Sequence, residues 1–222
     1  MTAHSREPTA APRRALATRS AGWARALARW LGRIGVRPNA VSIVGVVFAL
    51  GASVAFWLAP EVAGRSAALL FFAAACIQLR LLCNLLDGML AVEEGFMSRT
   101  GAIYNDLPDR IADVLILVGA GYAARHLAYG VTLGWIAAVL ALATAYVRVL
   151  GGSLGVTQQF IGPMAKQHRM FTLTVGTLLA VGEVLLDMPP QALRLGLAVI
   201  VAGSAITVVR RTRCIASEMN AG

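Results

Sequence analysis

The sequence predicts an all-α fold: an integral membrane bundle of six transmembrane helices, led in by an N-terminal amphipathic interfacial helix. Three observations carry that prediction. The 222 residues are 58% hydrophobic and only 14% charged, with a mean hydropathy of +0.69. This balance excludes a disordered chain and is foreign to a water-soluble domain. Six apolar runs, at 40–58, 66–86, 107–126, 131–150, 170–186 and 192–209, each approach the ~17–25 residues that cross a bilayer as a helix. They are continuously apolar and do not alternate as barrel strands do. With the N-terminus placed inside, 17 of the 20 Lys and Arg fall on the inner side, and only Arg65, Arg125 and Arg194 fall outside. That is the positive-inside pattern. It assigns the net charge of +9 to a membrane surface, with no nucleic acid as partner.

Residues 1–20 are rich in Ala, Arg and Pro and lack periodicity, so a disordered basic tail is expected. Residues 21–37 form the amphipathic juxtamembrane helix: Trp23, Leu27, Trp30, Leu31 and Ile34 share one face, and Arg25, Arg29 and Arg33 another. Trp opposite Arg suits the headgroup region, although an ordinary packed surface helix would carry the same pattern. Pro38 opens the first span, with Asn39 or Ser42 as its cap. The membrane domain spans 38–209, and 210–222 is a basic cytoplasmic tail. The first 37 residues hold no continuous apolar core of a cleavable signal, so the first span is expected to direct insertion. Cys76, Cys83 and Cys214 show no metal spacing and read as small apolar residues.

The chemistry concentrates in 84–113, which holds six of the eleven acidic residues: Asp87, Glu93, Glu94, Asp106, Asp109 and Asp113. An ionised carboxylate at the centre of a span costs about 2.5–3.5 kcal/mol, so the cluster calls for a partner near the membrane surface. At about 100° per residue, Arg80, Asn84, Asp87 and Ala91 share one face of the second span, and Asn105, Asp106, Asp109 and Asp113 share an arc of the third. Two neighbouring helices thus aim oxygen ligands from the same depth, a set suited to Mg²⁺, Mn²⁺ or Ca²⁺ and not to zinc. An ion-pair network with Arg80, Arg99 and Arg110 is the competing reading. A cation transporter is disfavoured because the acids cluster at one membrane face.

Asn84-x-x-Asp87-Gly88-x-x-Ala91-Val92, eight residues, then Gly101-x-x-x-Asn105-x-x-x-Asp109 resembles the signature of the CDP-alcohol phosphatidyltransferases. That signature has Asp where this chain has Asn84 and Asn105, and Arg where it has Val92. Spacing and placement between the second and third spans agree. The resemblance implies an enzyme that moves a phosphatidyl group from CDP-diacylglycerol to a small alcohol, with release of CMP and dependence on Mg²⁺ or Mn²⁺. It implies Asp87 as a metal ligand and Asp109 as ligand or general base. Asn84 and Asn105 would orient the pyrophosphate or complete the metal shell, with Asp106 and Asp113 near enough to compensate for their missing charge, while Gly88, Ala91 and Gly101 would face the nucleotide. Arg148, Lys166 and Arg169 suit the anionic headgroup of a phosphorylated acceptor, or serve as positive-inside anchors. A homodimer in a bacterial inner membrane, with the site and both termini cytoplasmic, is expected. The two Asn and Val92 motivate an alternative: a catalytically impaired member that binds CDP-lipid or acts as a scaffold.

Overall fold

The structure, a computed structural model, describes residues 22–62, 64–93, 101–158 and 160–221; the expected 1–20 tail lies outside them. The described residues form seven helices: α1 Gly22–Arg33, α2 Pro38–Leu58, α3 Ser66–Glu93, α4 Gly101–Ala123, α5 Gly130–Ser153, α6 Lys166–Leu185 and α7 Gln191–Ala221. No strand occurs among them. Each of the six apolar runs is the body of one helix, α2 to α7. Among the described residues, four of these are long and apolar enough to cross a membrane: Pro38–Leu58, Ser66–Ala91, Gly130–Ser153 and Gln191–Asn220. The remaining two carry the charged residues of the site inside the helix: Asp106, Asp109, Arg110 and Asp113 along the first half of α4, and Lys166 and Arg169 in the first turn of α6.

The bundle keeps its few polar side chains inside an otherwise apolar core and turns large apolar side chains outward, as a lipid-solvated protein does. Arg80, Asp113, Arg169, Thr177, Ser204 and Thr207 are buried, whereas Val47, Trp57, Phe71, Val139, Leu179 and Val199 stand out from the surface. Water would not tolerate so extended an apolar surface. In the core, small residues let the backbones approach, the usual device where lipid tails remove the hydrophobic drive to pair helices. Ala49 and Ala52 of α2, Ala112 and Ala120 of α4, and Ala137 and Ala141 of α5 are fully or almost fully buried. At the α4–α5 crossing, a Cβ on Gly134 would lie 2.7 Å from the Gly121 Cα, so only glycine fits there.

Local details depart from the sequence reading. Arg37, not Asn39 or Ser42, occupies the N-cap of α2, with Pro38 in the first turn and no side-chain cap; the Ser42 hydroxyl has work elsewhere. The third apolar run starts at 107, but α4 begins at Gly101, so Pro108 lies well inside it. It removes one backbone hydrogen bond from that turn. Residues 210–221, read as a tail, continue α7 as helix. In α1, Leu27 and Leu31 pack with the buried Ala24 and Ala28 onto Met89 and Leu90 of α3. Trp23 and Trp30 stand exposed beside them, so only part of the expected apolar face is spent on packing.

Candidate functional site

The start of α2, the end of α3, the start of α4, the end of α5 and the start of α6 meet at one end of the bundle. Side-chain contacts fix this. The Ser42 hydroxyl of α2 donates to Asp87 Oδ2 on α3 at 2.8 Å. The ammonium of Lys166, the first residue of α6, donates to Asn84 Oδ1 at 3.0 Å and pairs with Asp109 Oδ2 on α4. Arg148 near the end of α5 reaches Asp106 Oδ1 at 3.1 Å. Ser42, Gly45, Arg80, Asn84, Asp87 and Asp109 all line one cleft between α2, α3 and α4.

Beneath the cleft lies a buried ionic layer. Arg80, 1% exposed, donates to Asp109 Oδ1 at 3.2 Å and to Asp113 Oδ1 at 2.9 Å. The other Asp113 oxygen accepts from Arg169 at 3.1 Å. Arg169 also donates to the Thr144 hydroxyl and the Met164 carbonyl. A buried carboxylate between two buried guanidiniums is electrically compensated, which is the condition for keeping any of them in such a place. The layer ties α3, α4, α5 and α6 together and sets the height of Asp109.

The loop before α6 is pinned too. Gly162 adopts φ +118°, and a Cβ there would collide with Thr207. The Met164 N–H donates to Thr207 Oγ1 at 3.0 Å, and Arg211 donates to the Ile161 carbonyl at 2.9 Å. These bonds to α7 hold the turn from which Lys166 reaches Asn84 and Asp109. Lys166 lies ahead of its helix's apolar run. Burial, then the charge of Arg80, lowers its ammonium pKa to about 8, against the opposing pull of Asp109 and Asp113.

The expected site residues therefore divide. Asn84, Asp87, Asp109 and Lys166 come together. Asp106 is engaged by Arg110 at 2.6 Å and by Arg148 and is not among the residues lining the cleft. Arg148 also stacks on Phe160, 5.7 Å from the ring centre. Arg169 is buried in the ionic layer. Gly88 and Ala91 are half-buried on α3, and Gly101 opens α4; the Asn105 side chain lies outside the described ones. His168 bonds the Pro163 carbonyl. Ser42 was read only as a cap, and Asp113 as a member of the acidic arc able to compensate for the neutral Asn84 and Asn105. Partners on other helices give each its place.

The donor set suits a hard cation. Asp87 is 4% exposed; one of its oxygens is held by Ser42, while Oδ1 is buried with no hydrogen-bond partner. An orphaned carboxylate oxygen in a cleft shared with an amide carbonyl and a second carboxylate is what a divalent ion would satisfy. Such ions commonly take one or two carboxylates and fill the remaining positions with water and substrate phosphate. No group of three His, Cys, Asp or Glu side chains converges among the described residues, so the described carboxylates alone do not complete a shell.

Known structures share this architecture. The chain superposes on phosphatidylinositol phosphate synthase of Mycobacterium tuberculosis with CDP-DAG bound at a TM-score of 0.73 and 25% identity, over 88% of this chain and 94% of that one. The same enzyme in complex with manganese and citrate matches at a TM-score of 0.73 and 24% identity, covering 86% and 88%. Its apo form matches at 0.69 and 25% identity, covering 85% and 93%. Structural neighbours of this chain are thus members of the CDP-alcohol phosphatidyltransferases, the family its motif resembles. An uncharacterized protein of Aquifex aeolicus (strain VF5) is 29% identical over 187 residues, 83% of this chain and 85% of that protein. No family model matches the chain.

Proposed function

We propose that this protein is a divalent-metal-dependent phosphotransferase of phospholipid synthesis, which moves a phosphatidyl group from CDP-diacylglycerol to a small alcohol and releases CMP. The observation that carries the reading is the unpartnered, buried Oδ1 of Asp87 facing a cleft with Asn84 and Asp109. It is supported by a fold shared with a synthase solved with CDP-DAG and with manganese. All six long helices cross the membrane in this proposal. The cleft opens at the cytoplasmic face of a bacterial inner membrane, and the protein works as a homodimer.

Asp87 and Asn84 would hold a Mg²⁺ or Mn²⁺ ion, with Asn105 as a further ligand implied by its motif position. When bound, that ion neutralises charge on the pyrophosphate as phosphorus is attacked. The acceptor hydroxyl oxygen forms the new bond to the phosphorus distal to cytidine, and the bond from that phosphorus to the bridging oxygen breaks. CMP leaves with the electron pair. Asp109 Oδ2 receives the hydroxyl proton once the Lys166 ammonium moves from it onto the pyrophosphate, while Arg80 keeps Oδ1 in place. Asp106 is a more remote support of the shell through Arg110 and Arg148, and Arg148 lies where a phosphorylated acceptor would be met. Gly88, Ala91 and Gly101 keep the nucleotide's path along the helices free of large side chains. Arg169 acts from beneath by positioning Asp113 and Thr144.

Purified protein supplied with CDP-diacylglycerol, Mn²⁺ and a panel of alcohols tests the proposal. CMP release that requires both metal and acceptor is the expected result. A second reading, a CDP-lipid-binding protein without turnover, is favoured by one observation: both oxygens of Asp109 are already held by cations. CDP-lipid binding with no CMP release from any acceptor would select it.

A further inference from the structure

The cleft and the layer beneath it contain their own counter-charges. Asp109 has no free carboxylate oxygen, since Arg80 takes one and Lys166 the other. Asp113 is likewise closed between Arg80 and Arg169. Asn84, a neutral ligand, already gives its carbonyl oxygen to Lys166. The only carboxylate oxygen of the group recorded without a partner is Asp87 Oδ1. Three carboxylates, Asp87, Asp109 and Asp113, face three cations, Arg80, Lys166 and Arg169, so the described group is neutral before any ion enters. One divalent ion brings two positive charges, the number borne as negative charge by the pyrophosphate bridge of a nucleotide-diphosphate lipid. A second ion would leave two positive charges uncompensated in a buried place, which is costly.

We infer that this chain binds a single divalent ion, at Asp87, and that the ammonium of Lys166 occupies, between Asn84 and Asp109, the place a second ion would take. Neutral Asn84 fits this arrangement, because an ammonium needs hydrogen-bond acceptors there and no further negative charge. Pinning of the 161–165 turn to α7 through Thr207 and Arg211 sets where Lys166 leaves the backbone, so that its ammonium reaches both acceptors before substrate binds. The inference rests on the proposed function for the anion whose charge one ion balances; the seat at Asp87 and the ammonium between Asn84 and Asp109 stand on the side chains.

Titration of the full-length protein in nanodiscs with Mn²⁺, with free ion counted by electron paramagnetic resonance, tests it without reference to turnover. The expected stoichiometry is one ion per chain. Asp87→Asn lowers that affinity by at least about tenfold, as loss of a charged oxygen ligand does. Lys166→Met combined with Asn84→Asp admits a second ion. Two ions in the wild type, none in the wild type, or unchanged affinity in Asp87→Asn would each overturn the inference. Should the double variant fail to fold, the wild-type count and Asp87→Asn still decide it. Two ions per wild-type chain with CMP release removes the inference and leaves the function. One ion without CMP release from any acceptor does the reverse.

Discussion

Replacing Asp113 by Ala strips the buried ionic layer of its central carboxylate. Arg80 and Arg169 are 1% and 2% exposed, and neither can move to water without unpacking α3 from α6. Removing one partner from a buried pair costs about 3–5 kcal/mol, because the charge left behind is uncompensated. Arg80 keeps Asp109, and Arg169 keeps the Thr144 hydroxyl and the Met164 carbonyl. These remaining bonds place the expected loss at the lower end, about 3 kcal/mol. At roughly 2–4 °C per kcal/mol for a chain of this size, the melting temperature in detergent should fall by about 6–12 °C. The assay is thermal unfolding followed by circular dichroism on wild type, Asp113→Ala and Asp113→Asn. The Asn variant is expected between the other two, since its amide oxygen still accepts one guanidinium but brings no charge. A shift below about 2 °C for Asp113→Ala would refute the reasoning and mean that the layer does not hold the helices together.

Three further outcomes follow from the geometry. Ser42→Ala removes the donor that orients Asp87 Oδ2, and should weaken Mn²⁺ binding about fivefold, the equivalent of ~1 kcal/mol for one hydrogen bond, as read by isothermal titration. Gly134→Val forces a side chain into the 2.7 Å gap against Gly121; it should cost about 1–3 kcal/mol, with melting temperature as the measure. Chelation by EDTA should abolish CMP release reversibly, with Mn²⁺ restoring it and the circular dichroism spectrum unchanged, because the ionic layer needs no metal.

The helices were legible in the sequence because four of them contain apolar runs of bilayer length, and because α4 and α6, though charged in their first halves, keep apolar stretches beyond those charges. Their ends were less so. α3 runs past the apolar stretch to Glu93 and α7 to Ala221, since a helix can outlast its apolar segment wherever polar surface is available to it. The shared face of Arg80, Asn84 and Asp87 was readable from 3.6-residue periodicity, and all three line the cleft. Periodicity does not reveal what a face meets. Arg169 looked like a headgroup ligand or an inside anchor from its place near the inner membrane face, yet its side chain turns inward to Asp113, a partner 56 residues away in sequence. Ser42 looked like a cap because it sits one turn into α2; only the packing of α2 on α3 shows it bound to Asp87. The burial of Lys166 between Asn84 and Asp109 has no local signal at all, since it depends on a turn held by Thr207 and Arg211 from the far end of the chain.

The most direct test of the central claim compares CMP release from CDP-diacylglycerol by the wild type and Asp87→Ala, each in matched nanodiscs with saturating Mn²⁺ and a competent acceptor. Metal-dependent release by the wild type and none by Asp87→Ala, with both proteins inserted and folded, is the predicted result. Equal rates from the two would contradict it, for then the open oxygen of Asp87 has no part in the chemistry.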